Sequence, residues 1–171
     1  MIVAGFDPGS RRFGLAVLQD RNGSIQLLHS ETVNLKPKDF GERMSILWMH
    51  LQKIAGDFDL DESAMEEGFL GPNARSQNVL AQVRGVVLAS MIHNSLPLSA
   101  YSPRTVKQAV TGNGNAAKEQ VQNMIRRLLR LDRREIGDDE TDAMAVAYCH
   151  LLSRPGLKAV GRAGLRKGVR E

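Results

Sequence analysis

The sequence holds a single cysteine, Cys149. No intramolecular disulfide can form and no zinc site can rest on thiolates, so a reducing compartment is the simplest setting. The opening run Met1-Ile2-Val3-Ala4-Gly5-Phe6-Asp7 has no basic segment and breaks too early for a secretory leader. No stretch approaches the roughly 18 apolar residues that span a bilayer. A cytoplasmic protein with no membrane attachment is expected. There is no internal repeat. The histidines, His29, His50, His93 and His150, are scattered, and none is assigned to catalysis.

What is present suits one folded domain. Of 171 residues, 42% are hydrophobic and 25% charged, enough to bury a core without covalent staples. The net charge of +4 is unevenly placed. Residues 155–171 carry Lys158, Arg162, Arg166, Lys167 and Arg170 against Glu171 alone, which leaves the rest of the chain neutral overall. Within residues 103–134, Arg104, Lys107, Lys118, Arg126, Arg127, Arg130, Arg133 and Arg134 are opposed only by Glu119 and Asp132. A segregated basic segment on a neutral body suits an anionic polymer approaching one side. An ordinary solvated helix face has the same composition.

Residues 2–7 are β-prone and end in the turn signal Asp7-Pro8-Gly9-Ser10. Residues 13–19 read as a second strand. The Asn22-Gly23 pair favours a tight hairpin, which returns residues 25–34 as a third. Residues 38–58 form a helical pattern through Phe40, Met44, Leu47, Leu51 and Ile54. A short strand over 63–66, a helix over 76–95 and a strand over 96–101 follow. A short helix over 105–110, the flexible loop Gly112-Asn113-Gly114-Asn115, and helices over 118–131 and 139–152 complete the pattern. An antiparallel meander followed by βα crossovers predicts an α/β fold with a mixed sheet and helices on both faces. That domain spans residues 1–154. The glycine-punctuated basic tail, 155–171, is expected to be disordered without a ligand.

Four carboxylates stand at positions that such a fold can bring together. Asp7 ends an apolar strand, although an aspartate there can simply close the turn through its own backbone. Glu66 and Glu67 make an acid pair at a strand end, costly without a cation nearby; a surface glutamate is the plainer reading of either alone. Asp139 and Asp142 open the last helix. At about 100° per residue they sit roughly 60° apart, on one face. Capping and the helix dipole account for Asp138. They account less well for Asp142, a turn further in and followed by the small residues Ala143, Ala145 and Ala147. Carboxylates suit Mg²⁺, and two such ions can activate water and stabilise the leaving oxygen of a phosphodiester.

Gly5-Phe6-Asp7-Pro8-Gly9-Ser10-Arg11, then Gly14, resembles the opening motif of the RuvC family of Holliday junction resolvases. Ala64-Met65-Glu66-Glu67-Gly68-Phe69 is similar to the second acidic motif of that family, and Arg84-Gly85-Val86 to a further triplet. Pro103-Arg104-Thr105-Val106-Lys107-Gln108, followed by Gly112, Gly114, Lys118 and Gln120-Val121, resembles its basic segment. Asp139-Glu140-Thr141-Asp142-Ala143 is similar to its terminal acidic pair. The resemblance runs over about residues 2–150. Phe6, Phe13, Ala16 and Gly68 depart from the usual residues but leave the acids intact.

The resemblance implies a ribonuclease-H-like fold with a five-stranded sheet, a homodimer, and Mg²⁺-dependent symmetric nicking of four-way DNA junctions in recombination and repair. Two ions per site are implied, with Mn²⁺ able to substitute, and products ending in 5′-phosphate and 3′-hydroxyl. Asp7, Glu66, Asp139 and Asp142 would be the catalytic metal ligands. Arg104, Lys107 and Lys118 would contact DNA, the two lysines at phosphates near the scissile bond. Phe69 would project toward unpaired bases at the crossover, and the helix at 76–95 would form the dimer interface. A RuvA–RuvB-type branch-migration complex is the implied partner.

The residues themselves leave alternatives. Lys118 follows a flexible loop at a helix N-terminus, a good place for a phosphate, yet an exposed lysine needs no role. Phe69 sits among glycine and proline, where an aromatic can stack on a base or simply enter the core. Val83, Val87 and Met91 at helical spacing serve an intrachain core as readily as a dimer. A sugar-kinase-like ATPase, a non-catalytic junction binder and a related nuclease acting on RNA–DNA hybrids or other branched DNA are the rival functions.

Overall fold

The computed structural model describes residues 1–36, 39–67, 74–131 and 135–153. Its elements are β1 (Ile2–Asp7), β2 (Arg12–Arg21), β3 (Ser24–Asn34), α1 (Phe40–Asp57), β4 (Glu62–Glu66), α2 (Ala74–His93), β5 (Leu98–Tyr101), α3 (Pro103–Thr111), α4 (Lys118–Leu128) and α5 (Asp138–Ser153). The sheet order is β3-β2-β1-β4-β5. β1, β2 and β3 are antiparallel neighbours, whereas β4 lies parallel to β1, and β5 parallel to β4. The expected hairpin is present: Asn22 and Gly23 both have positive φ, 54° and 87°, the conformation whose twist matches paired strands.

Strand alternation sorts the side chains into two cores. On one face, Ala4, Phe6, Phe13, Leu15 and Val17 pack with Leu47, Leu51 and Ile54 of α1 and Val83, Val87 and Met91 of α2. On the other, Val3, Ala16, Leu18 and Ala64 pack under α5, which α3 and α4 cover in turn. The helix α5 is therefore buried nearly all round, from Ala143 through Ala147 and at Cys149 and Leu151. Its run of alanines suits a helix with neighbours on every side.

The approach of α5 to the sheet depends on Gly5 and Gly14. A Cβ on Gly5 would lie 2.3 Å from the Ala143 carbonyl oxygen and 2.7 Å from Ala147 Cβ. One on Gly14 would lie 2.0 Å from the Asp139 carbonyl oxygen and 3.2 Å from Asp7 Cβ. Only glycine permits backbone contact this close. The same side chains that are missing here bring the start of α5 onto the end of β1.

Boundaries differ from the sequence reading in explicable ways. The helix begun at Lys118 stops at Leu128 rather than Leu131, because Arg130 takes a left-handed φ of 57° that turns the chain. The last strand starts at Leu98, since Leu96 and Pro97 complete a turn in which Ser95 has φ 55°. Helix α3 is longer than expected: Ser102 caps it by accepting from the Thr105 N–H at 3.1 Å, and Gly112 ends it with φ 75°. Val83, Val87 and Met91 lie in the intrachain core. The dimer-forming face of α2 cannot be theirs. Among the described residues, no helix is long and apolar enough to cross a membrane. The expected tail and Phe69 lie outside the described residues.

Candidate active site

Alternation along β1 turns Val3, Gly5 and Asp7 toward α5, and along β4 it turns Glu62, Ala64 and Glu66 the same way. The β1–β4 register pairs Phe6 with Met65, so Asp7 and Glu66 lie one step beyond, at the ends of adjacent strands. Gly14 lets the first turn of α5 rest against Asp7. Asp139 and Asp142 thus face the two strand-end acids. That turn is fixed by side chains. Glu140 accepts from the Ser30 hydroxyl at 2.6 Å and from the Gly137 N–H at 3.3 Å, and the Thr141 hydroxyl donates to the Gly137 carbonyl at 2.9 Å.

The electrostatics follow from the juxtaposition. Burial, reinforced by the charges of Asp142, Glu66 and Asp139, pushes the Asp7 carboxyl from about 3.8 up to about 7, against the easing effect of Lys118. Burial raises Glu66 as well, with Asp142 adding repulsion, while Arg84, Lys107 and Lys118 oppose the shift. Two carboxyls raised by burial and by neighbouring acids need a countercharge to ionise.

Part of that charge is built in. Lys118 Nζ donates to Asp142 Oδ2 at 2.7 Å, and this bond holds the lysine ammonium above its ordinary range. Arg12 Nε meets Asp139 Oδ2 at 3.1 Å. Among the described residues, no three acidic, imidazole or thiol groups converge closely enough to enclose an ion. The donor set still fits a hard divalent cation: all oxygen, with Asp7 raised by burial and by the neighbouring carboxylates that such an ion would offset.

Of the expected DNA contacts, Lys118 stands at the first position of α4 and at the site itself. Lys107, on α3, reaches Glu66 electrostatically. Arg104 is exposed and lies across Gly114, whose added Cβ would be 2.8 Å from Arg104 Cγ; it flanks the loop that leads to Lys118. The sequence reading gave no site role to Arg12 or Arg84. Arg84 comes from α2, acts on Glu66, and keeps its buried Nε without a hydrogen-bond partner. Its motif was visible, but the partner acid is on another element. His150 is structural: its ring nitrogens meet Glu62 at 2.7 Å and the Tyr101 hydroxyl at 2.8 Å.

The family model described as Crossover junction endodeoxyribonuclease RuvC matches residues 3–150. Crossover junction endodeoxyribonuclease RuvC of Chlorobaculum parvum is 41% identical over 168 residues, 96% of this chain and 88% of that protein. The Geobacter sp. (strain M21) protein of the same name is 38% identical, over 99% of this chain and 100% of its own length. T. thermophilus RuvC, solved in complex with a Holliday junction substrate, matches with a TM-score of 0.83 at 33% identity, covering 88% of this chain and 93% of that one. A fowlpox virus Holliday junction resolvase shares the fold alone, with a TM-score of 0.59 at 12% identity. The mixed sheet and the helices on both of its faces agree with these matches: the fold is ribonuclease-H-like, and the chain belongs to the RuvC family of crossover junction endodeoxyribonucleases.

Proposed function

We propose that this chain resolves four-way DNA junctions by paired, symmetric phosphodiester hydrolysis, with Asp7, Glu66, Asp139 and Asp142 as the catalytic ligands of two Mg²⁺ ions. Mn²⁺ would serve in their place. The observation that supports the reading is that two adjacent strand ends and the first turn of α5 bring Glu66, Asp139 and Asp142 around Asp7, whose carboxyl is raised by burial and by those three charges. Bound ions of this class supply an activated water and stabilise the oxygen that leaves. The residues of the chain do the rest. Lys118, now on Asp142, and Lys107, near Glu66, offer cations to the phosphates around the scissile bond. Gly5 and Gly14 keep α5, and so Asp139 and Asp142, in place. In-line attack at phosphorus with cleavage toward the 3′ oxygen leaves a 5′-phosphate and a 3′-hydroxyl.

Paired nicking needs two sites related by a two-fold axis. The exposed apolar residues Leu88 and Ile92 of α2, with Met49 of α1, support a homodimer through this face. Phe69 would stack on unpaired bases at the crossover, Arg104 would contact the DNA backbone, and a RuvA–RuvB-type complex would supply the junction in a cytoplasmic repair setting.

The test is Asp142→Asn. Junction affinity by gel shift should remain within about threefold of the parent, while cleavage falls by at least about a thousandfold. Cleavage at the parent rate would refute the ligand assignment.

A further inference from the structure

Arg12 opens β2, between two glycines that each allow a close backbone approach. A Cβ on Gly9 would lie 1.9 Å from the Arg12 carbonyl oxygen, and Gly14 admits the Asp139 carbonyl. Alternation sends Arg12, Gly14 and Ala16 to the α5 face. The guanidinium therefore reaches the first turn of α5, where Nε lies 3.1 Å from Asp139 Oδ2. The two ends of this pair differ: the Asp139 side chain is 19% exposed, that of Arg12 63%. Asp142 has the equivalent arrangement with Lys118, 21% against 57% exposed. Asp139 and Asp142 thus each carry a cation more exposed than the acid itself.

We propose that Arg12 is a built-in countercation of the metal centre, holding Asp139 while divalent ions are absent and competing with them for that carboxylate. This rests on the metal-site reading above. A guanidinium keeps its charge at every working pH, so the competition is permanent. A partly exposed pair of this kind is weak, so it yields to a divalent ion instead of blocking it. Arg12 acts through Asp139 and is a positioning residue. Its role is to let the four acids fold together before metal arrives, and to set the Mg²⁺ concentration at which the site fills.

The experiment is thermal unfolding of the metal-stripped full chain, titrated with Mg²⁺ in the absence of DNA. It compares the parent with Arg12→Gln and Arg12→Lys. The exposed position lets both variants fold. Arg12→Gln should unfold at a lower temperature without metal, and should reach half its Mg²⁺ stabilisation at about one-third of the parent concentration, the order set by one partly exposed charge. Arg12→Lys, which keeps the charge, should return toward the parent value. Equal or weaker Mg²⁺ response in Arg12→Gln would overturn the role of Arg12 and leave the metal site standing. No response in the parent would overturn both.

Discussion

At the scale of single residues, the main cost of this site is negative charge. Asp7 prefers its proton because burial and three neighbouring carboxylates oppose ionisation. Its carboxyl titrates near 7 in the folded chain, above the ordinary value near 3.8, so the folded state binds the proton more tightly than the unfolded state. The resulting stability is fully present below the lower value and is lost as pH rises through about 7. Metal-free protein should therefore lose roughly 2 kcal/mol of unfolding free energy between pH 5 and pH 8, and Asp7→Asn should remove most of that loss. Urea denaturation in the presence of a chelator measures both. Mg²⁺ should restore more stability at pH 8 than at pH 5. The positions of the four acids, at two strand ends and a helix start, were legible in the sequence, while their proposed grouping as one site came from the motif resemblance. Arg12 and Arg84 were not. A cation's partner is set by which elements pack together, and local spacing carries no sign of it.

At the scale of elements, the position of α5 decides whether the acids meet. Gly14 is the most demanding point, with the Asp139 carbonyl where a Cβ would stand. Gly14→Ala should cost about 3 kcal/mol in denaturant unfolding, as overpacking does. It should also lower the cleavage rate by more than the remaining folded fraction explains, because the displaced turn carries Asp139. A variant cleaving at the parent rate would show that the contact is not needed. The sequence marked both glycines through the motif, but not the helix they admit, since that contact joins residues far apart in the chain. The strands and helices themselves were legible from period and turn chemistry. The errors fell at ends, where Arg130 and Ser95 adopt left-handed backbone without the glycine or asparagine that would announce it. Helix α2 shows a different limit. Its apolar spacing is real, yet Val83, Val87 and Met91 serve the internal core, while among the described residues Leu88 and Ile92 are its exposed large apolar side chains.

At the scale of the whole molecule, one active site cuts one strand, and resolution requires two. Ile92 is 68% exposed, so Ile92→Asp should leave the fold unchanged while placing a charge on the proposed dimer face. Sedimentation at micromolar concentration should show a dimer for the parent and a monomer for the variant, and the variant should nick junctions singly. A monomeric parent would contradict the two-fold account. The most direct test of the central claim is cleavage of an immobile four-way DNA junction with Mg²⁺, beside linear duplex and RNA–DNA hybrid. The account predicts paired, symmetric nicks confined to the junction and lost on chelation. Cleavage of the hybrid with the junction left intact, or tight junction binding without any nick, would contradict it.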